Sequence, residues 1–190
     1  FAAFSARQGE VLLAANAVLN NLLMLQAYAL DGFAFAAEAL VGRAVGRRDP
    51  RALDRSLAAA AWWSAGFAAL IALAYGTLGF VAVRILTGIA EVRAAADAFL
   101  PYAVVVPLVG VWAYLFDGLF SGATQTRELR DGSAVATAVF FTTAWPAIAL
   151  AGNHGLWLAL LAFLAARSLW FAWRWRVLRA AGRFTAPHQG

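Results

Sequence analysis

From Ser56 to Val83 the chain carries no charged residue. A helix needs about 20 mostly apolar residues to cross the roughly 30 Å hydrocarbon core of a bilayer. Backbone groups find no water there, so a spanning segment must hydrogen-bond within itself, as a helix does. The pattern recurs along the chain. The same length rule marks five spans, at about 11–46, 51–83, 95–122, 133–151 and 156–177. An apolar stub at 1–6 precedes them and is closed by Arg7, Gly9 and Glu10. The expected fold class is therefore all-α, a polytopic transmembrane helix bundle of five full spans plus an N-terminal stub. Composition agrees: 63% of residues are hydrophobic and 13% charged, against about half and a quarter in a soluble domain.

Local signals refine the spans. At about 1.5 Å per residue the first would be roughly 54 Å long, so it must tilt, protrude or break, with Gly32 beside Asp31 as the weak point; we expect one helix. Asp49 and Pro50 suit the N-cap and first position of the second span. Pro101 and Pro107 predict a kink in the third, and Pro146 lies near the end of the fourth. Asn153-His154-Gly155 reads as a short turn before the fifth. Gly42 and Gly46 form a GxxxG, a spacing that lets helices approach closely. The eight Trp mostly lie toward span ends, as in an interfacial aromatic belt.

All 15 basic residues are Arg, which reads as base-composition bias in the source genome. Their placement fits lipid headgroups rather than nucleic acid. Arg47, Arg48, Arg51, Arg55, Arg127, Arg130, Arg174, Arg176, Arg179 and Arg183 fall on one side of the alternating spans; the two loops between spans on the other side hold Arg84 and Arg93. The positive-inside rule then puts the 47–55 loop and a 181–190 tail in the cytoplasm. The chain opens on Phe1 with no charged n-region and no small-residue cleavage site. It reads as the continuation of an apolar segment, hence as a fragment lacking an N-terminal part.

Against this apolar background the embedded acids stand out. Asp31 and Glu38 are seven residues apart, two helical turns, so they share nearly one face about 10 Å apart. Upstream, Asn16, Asn20, Asn21 and Gln26 keep the same helix polar, and Asn16, Asn20 and Gln26 are candidates to line a cavity. Asp117 is a third embedded acid, with Tyr114 one turn away. An ionisable group at membrane depth is a functional candidate by default; a carboxylate there can exchange a proton or hold a sodium ion with nearby amide oxygens. For Asp31 and Glu38 the bland alternative is an acid that caps a broken helix or pairs with Arg167, the one basic residue well inside a span; for Asp117 it is structural capping. Arg167 can equally snorkel to the headgroups.

Other chemistry is excluded or weak. There is no cysteine, so neither a disulfide nor a thiolate site. His154 and His188 lie in no HExxH, and no P-loop or GxSxG occurs. No metal site or cofactor is expected.

"LLAANAVLNNLLMLQAYALDGFAFAAEALVGRAVGRRD" and "DGLFSGATQTRELRD" resemble the DNA-damage-inducible F type branch of the multidrug and toxic compound extrusion (MATE) family, over about residues 6–178. The resemblance implies twelve helices in two pseudo-symmetric lobes. Residues 1–180 would be the C-terminal lobe: the end of helix seven and helices eight to twelve. It implies a multi-pass protein of the bacterial inner membrane that exports amphipathic, cationic compounds by proton or sodium antiport, with lobes that rock to give alternating access. The partners would be those compounds, the lipid bilayer and the missing N-terminal lobe, with no nucleic acid. Asp31 and Glu38 match the branch's "LDGFAxAAE" motif. A helix-ten Asp has an ion role in another branch, but Asp117 is offset from that position, so the role is not carried over. The rival readings are a lipid-linked precursor flippase, which needs a cationic cavity, an intramembrane enzyme using Asp31 and Glu38, and an assembly subunit. The expectation is a transporter, not an enzyme.

Overall fold

The computed structural model describes residues 1–184; His188 and most of the expected tail fall beyond them. A short helix α1 (Ala2–Ser5) and a 3-10 turn (Ala6–Gln8) lead into five long helices: α2 (Glu10–Gly46), α3 (Pro50–Leu86), α4 (Ala90–Gly122), α5 (Thr126–Ala151) and α6 (Asn153–Ala180). All five are long and apolar enough to cross a membrane, and no strand occurs among the described residues. The all-α bundle of five spans and a stub is what the hydropathy dictates.

The helices run past the apolar stretches at their polar ends. The fourth span is apolar from about Ser133, yet α5 begins at Thr126 and carries Arg127, Glu128, Arg130 and Asp131 in its first turns. Hydropathy reports where lipid ends, not where backbone hydrogen bonding ends. Gly32 does not interrupt α2, and Pro101 and Pro107 lie inside a continuous α4. Asp49 caps α3 as its sequence suggests: its carboxylate accepts from the backbone N–H groups of Arg51 and Ala52 at 2.9 and 3.0 Å.

One turn is tighter than the sequence implies. Asn153, His154 and Gly155 are not a loop; they open α6. The reversal falls on Gly152 alone, at φ 56° and ψ −131°. That backbone conformation is essentially reserved for glycine.

α4 is the most enclosed span and α5 the least. α4 packs on α2, α3 and α6, while α5 leans mainly on α6. Tyr75 on α3 donates to the Leu22 carbonyl on α2 at 2.7 Å, and Leu30 meets Ala68, so α2 and α3 run antiparallel. The α2–α4 seam is parallel and very close. Gly118 lies against the backbone of Ala34, and Gly122 against that of Glu38 and beside Gly42. A Cβ at Gly118 or Gly122 would enter the carbonyl oxygen of Ala34 or Glu38. The close approach therefore belongs to Gly118-xxx-Gly122 meeting Gly42, while Gly46 faces open space.

Two apolar clusters fill the ends. Leu19, Leu22, Phe99, Val106 and Trp157 fill the Arg-poor end; Leu53, Phe116, Leu119, Phe120 and Phe171 fill the Arg-rich end. Most Trp side chains are exposed or half-buried, as a belt requires. Trp157 is the exception and corrects the belt reading at that position: it is fully buried and its Nε1–H donates to Asn16 Oδ1 at 3.0 Å.

Candidate functional site

The parallel seam sets the level of the embedded acids. Because Ala34 abuts Gly118, Asp31 stands near Tyr114, about one turn from Asp117 in register. Arg167 reaches this level from α6. Its Nη2 donates to Asp117 Oδ1 at 3.0 Å, with both side chains about one quarter exposed. Arg167 also lies 5.6 Å over the Phe171 ring, and its Nε is buried without a partner among the described residues. Asp117 lies in the field of Asp31 as well as of Arg167, and Tyr114 in the fields of all three. Three helices thus bring Asp31, Tyr114, Asp117 and Arg167 into one half-buried cluster.

Its charge count is uneven. With every group ionised, two carboxylates face one guanidinium, and the guanidinium is bonded to Asp117. Asp31 is left without an ion pair among the described residues. One monovalent cation would balance the cluster, which is chemistry a membrane interior favours strongly. Arg167 pairs with Asp117 rather than with Asp31 or Glu38. Sequence reasoning did not join Arg167 to Asp117; the signal available was that both lie inside spans with opposite charge.

Glu38 sits apart. Its backbone is pressed on Gly122, but its side chain is exposed and makes no ion pair among the described residues. Asp31 and Glu38 thus share a helix face without sharing an environment.

The polar residues upstream separate in the same way. Asn16 is buried, and its amide nitrogen donates to Ser5 Oγ at 2.6 Å and to Asn153 Oδ1 at 2.7 Å. Its oxygen accepts from Asn153 Nδ2 at 3.1 Å and from Trp157 Nε1. Asn16 is therefore committed to a knot that ties α1, α2 and α6. Asn16 and the half-buried Asn20 both line a cavity of about 170 Å³, with Phe1, Ser5 and Leu13. Gln26 is buried with its Oε1 unpartnered, inside the α2 interface rather than at a surface. Asn21 is exposed and bonds back to the Ala17 carbonyl. No group of three or more His, Asp or Glu that could hold a metal ion occurs among the described residues.

Comparison with known proteins adds a family. The MatE family model matches residues 1–142. The chain is 45% identical over 171 residues to DNA damage-inducible protein F of Escherichia coli (strain K12), covering 90% of this chain and 37% of that protein. The chain thus spans little more than a third of that relative's length.

Proposed function

Because the chain belongs to the MatE family, whose members are transporters, we propose that residues 1–180 form the C-terminal lobe of a secondary active exporter. In this reading Asp31 is the carboxylate that loads the coupling cation, a proton or a sodium ion. The carrying observation is the uneven cluster: Asp117 is bonded to Arg167 at 3.0 Å, while Asp31 stands in its field unpaired.

The mechanism follows from that count. Without a bound cation the site keeps one uncompensated negative charge, which a membrane-buried position disfavours and a wetted or cation-filled one tolerates. A cationic amphipathic substrate and the coupling cation would satisfy the same charge, so occupancy by one opposes occupancy by the other. That competition is what antiport requires. Exchange of the site between the two faces belongs to rocking of this lobe against an N-terminal lobe. Arg167 acts as a positioning residue: it fixes Asp117 and leaves Asp31 free. The exposed Glu38 faces the cleft or the partner lobe. The Arg-rich helix ends and the 181–190 tail lie in the cytoplasm, and the membrane is the bacterial inner membrane.

The test uses full-length protein in liposomes with imposed proton or sodium gradients and a fluorescent organic cation. Gradient-dependent movement of that cation supports the reading. Movement of a lipid-linked anion without a gradient, or turnover of a substrate, would replace it with a flippase or an enzyme.

A further inference from the structure

At the Arg-rich end, between the last turns of α2 and the first turns of α3, lies a cavity of about 230 Å³. It is lined by Leu40, Arg43, Ala44, Arg47, Ala52 and Ser56. Arg43 and Arg47 are one helical turn apart, so both guanidiniums stand over the same opening. Ser56 contributes a hydroxyl from the opposite helix, and Leu40, Ala44 and Ala52 give an apolar floor.

The charge here is not cancelled. Neither Arg43 nor Arg47 forms an ion pair among the described residues; Arg43 makes only a long bond to its own helix, Nε to the Ala39 carbonyl at 3.3 Å. The neighbouring acids are committed elsewhere. Asp49 caps α3, Asp54 holds Arg179, Glu128 holds Arg174 and Asp131 holds Arg130. Glu38, five residues before Arg43, points off a different side of α2. Arg51 and Arg55 add further exposed positive charge close by.

Depth and shape narrow the ligand. The cavity lies where the apolar spans end, at headgroup level. Guanidinium forks match phosphate oxygens geometrically as well as electrostatically. Trp63 is seven residues after Ser56, on the same face of α3 and about 10 Å deeper. It is 68% exposed, an apolar wall along which a hydrocarbon chain can run.

We propose that this cavity binds the phosphate of an anionic phospholipid headgroup, held by Arg43 and Arg47 with Ser56 as a further donor, its acyl chain lying along Trp63.

Native mass spectrometry of the detergent-purified full-length protein, titrated with phosphatidylglycerol or phosphatidylcholine, tests this. Phosphatidylglycerol should bind more tightly than phosphatidylcholine, whose choline cation offsets the charge of the shared phosphate and is repelled by the Arg-rich rim. At about 1 kcal/mol per surface Arg, each single Arg→Ala change should weaken binding about five-fold and the Arg43→Ala/Arg47→Ala pair about 30-fold. Ser56→Leu, which fills the cavity but keeps both charges, should also weaken it. Arg176→Ala, exposed at the same end, should leave it unchanged. Equal retention of the two lipids, or a double variant within about two-fold of wild type, overturns the proposal. So does complete displacement by millimolar inorganic phosphate, which would mark a soluble-anion site.

Discussion

Replacing Gly118 with Ala tests the seam that positions the embedded acids. A Cβ there would lie 2.8 Å from the carbonyl carbon of Ala34 and 3.0 Å from its Cα, and closer still to the carbonyl oxygen. Ordinary contact between such atoms is about 3.5–4.0 Å, so α2 and α4 must part by roughly 1 Å. Overpacking of this kind costs about 1–3 kcal/mol. Both obstacles are backbone, which cannot rotate away, so the upper end applies. Alanine recovers about 1 kcal/mol of helix propensity over glycine. The net expectation is a loss of about 2 kcal/mol, or roughly 4–8 °C in the unfolding midpoint for a body of this size. Gly32→Ala is the internal control. It lies in α2, and a Cβ added there would meet nothing within 4 Å. Only the propensity gain remains, and the midpoint should rise by about 2–4 °C. Thermal unfolding of the purified variants in one detergent measures both. A Gly118→Ala protein as stable as wild type would refute the close backbone packing on which the site geometry rests.

Further expectations follow from side chains with countable partners. Asn16→Ala strands the Trp157 Nε1–H and the Asn153 amide in a buried setting; at about 1–3 kcal/mol per stranded group the midpoint should fall by at least about 4 °C, and a change under about 2 °C would contradict the knot. Glu128→Ala breaks a bidentate pair to Arg174, with bonds of 2.6 and 2.7 Å. It should destabilise by about 2 kcal/mol, whereas Asp131→Ala, removing an exposed pair, should cost under about 1 kcal/mol; equal effects in the same melts would argue against the burial difference. The Ala52 N–H, followed by that of Arg51, holds the Asp49 carboxyl below its ordinary value of 3.8. A lowered folded value means the cap contributes in full above the ordinary value and fades as acid carries the pH down through the lowered one. The midpoint difference between wild type and Asp49→Ala should therefore shrink from pH 7 to pH 3, and a constant difference would contradict it.

The fold was legible because each span is a long, mostly apolar run, and hydropathy alone finds such runs. Asp49-Pro50 announced the start of α3 for the same local reason. What could not be read locally was pairing across the chain. Asn16 meets Trp157, and Asp117 meets Arg167, only after α2, α4 and α6 are brought together. Asn16 looked like part of a polar stripe because periodicity places a residue on a face without saying what covers that face. The GxxxG at Gly42 was read from the sequence and the same spacing at Gly118 and Gly122 was not; even with both in hand, a small-residue pair does not name its partner. The embedded acids were found by their cost in lipid. Their unequal settings, Asp31 in a charged cluster and Glu38 exposed, depend on neighbours supplied by other helices.

The central claim, that Asp31 loads the coupling cation, is tested most directly by separating coupled from uncoupled movement in Asp31→Asn. In liposomes holding the full-length protein, exchange of labelled for unlabelled organic cation needs no gradient, while accumulation against a concentration difference needs the coupling ion. The account predicts that Asp31→Asn keeps the exchange and loses the gradient-driven accumulation, with Glu38→Gln much less affected. Accumulation at the wild-type rate and extent in Asp31→Asn would contradict it.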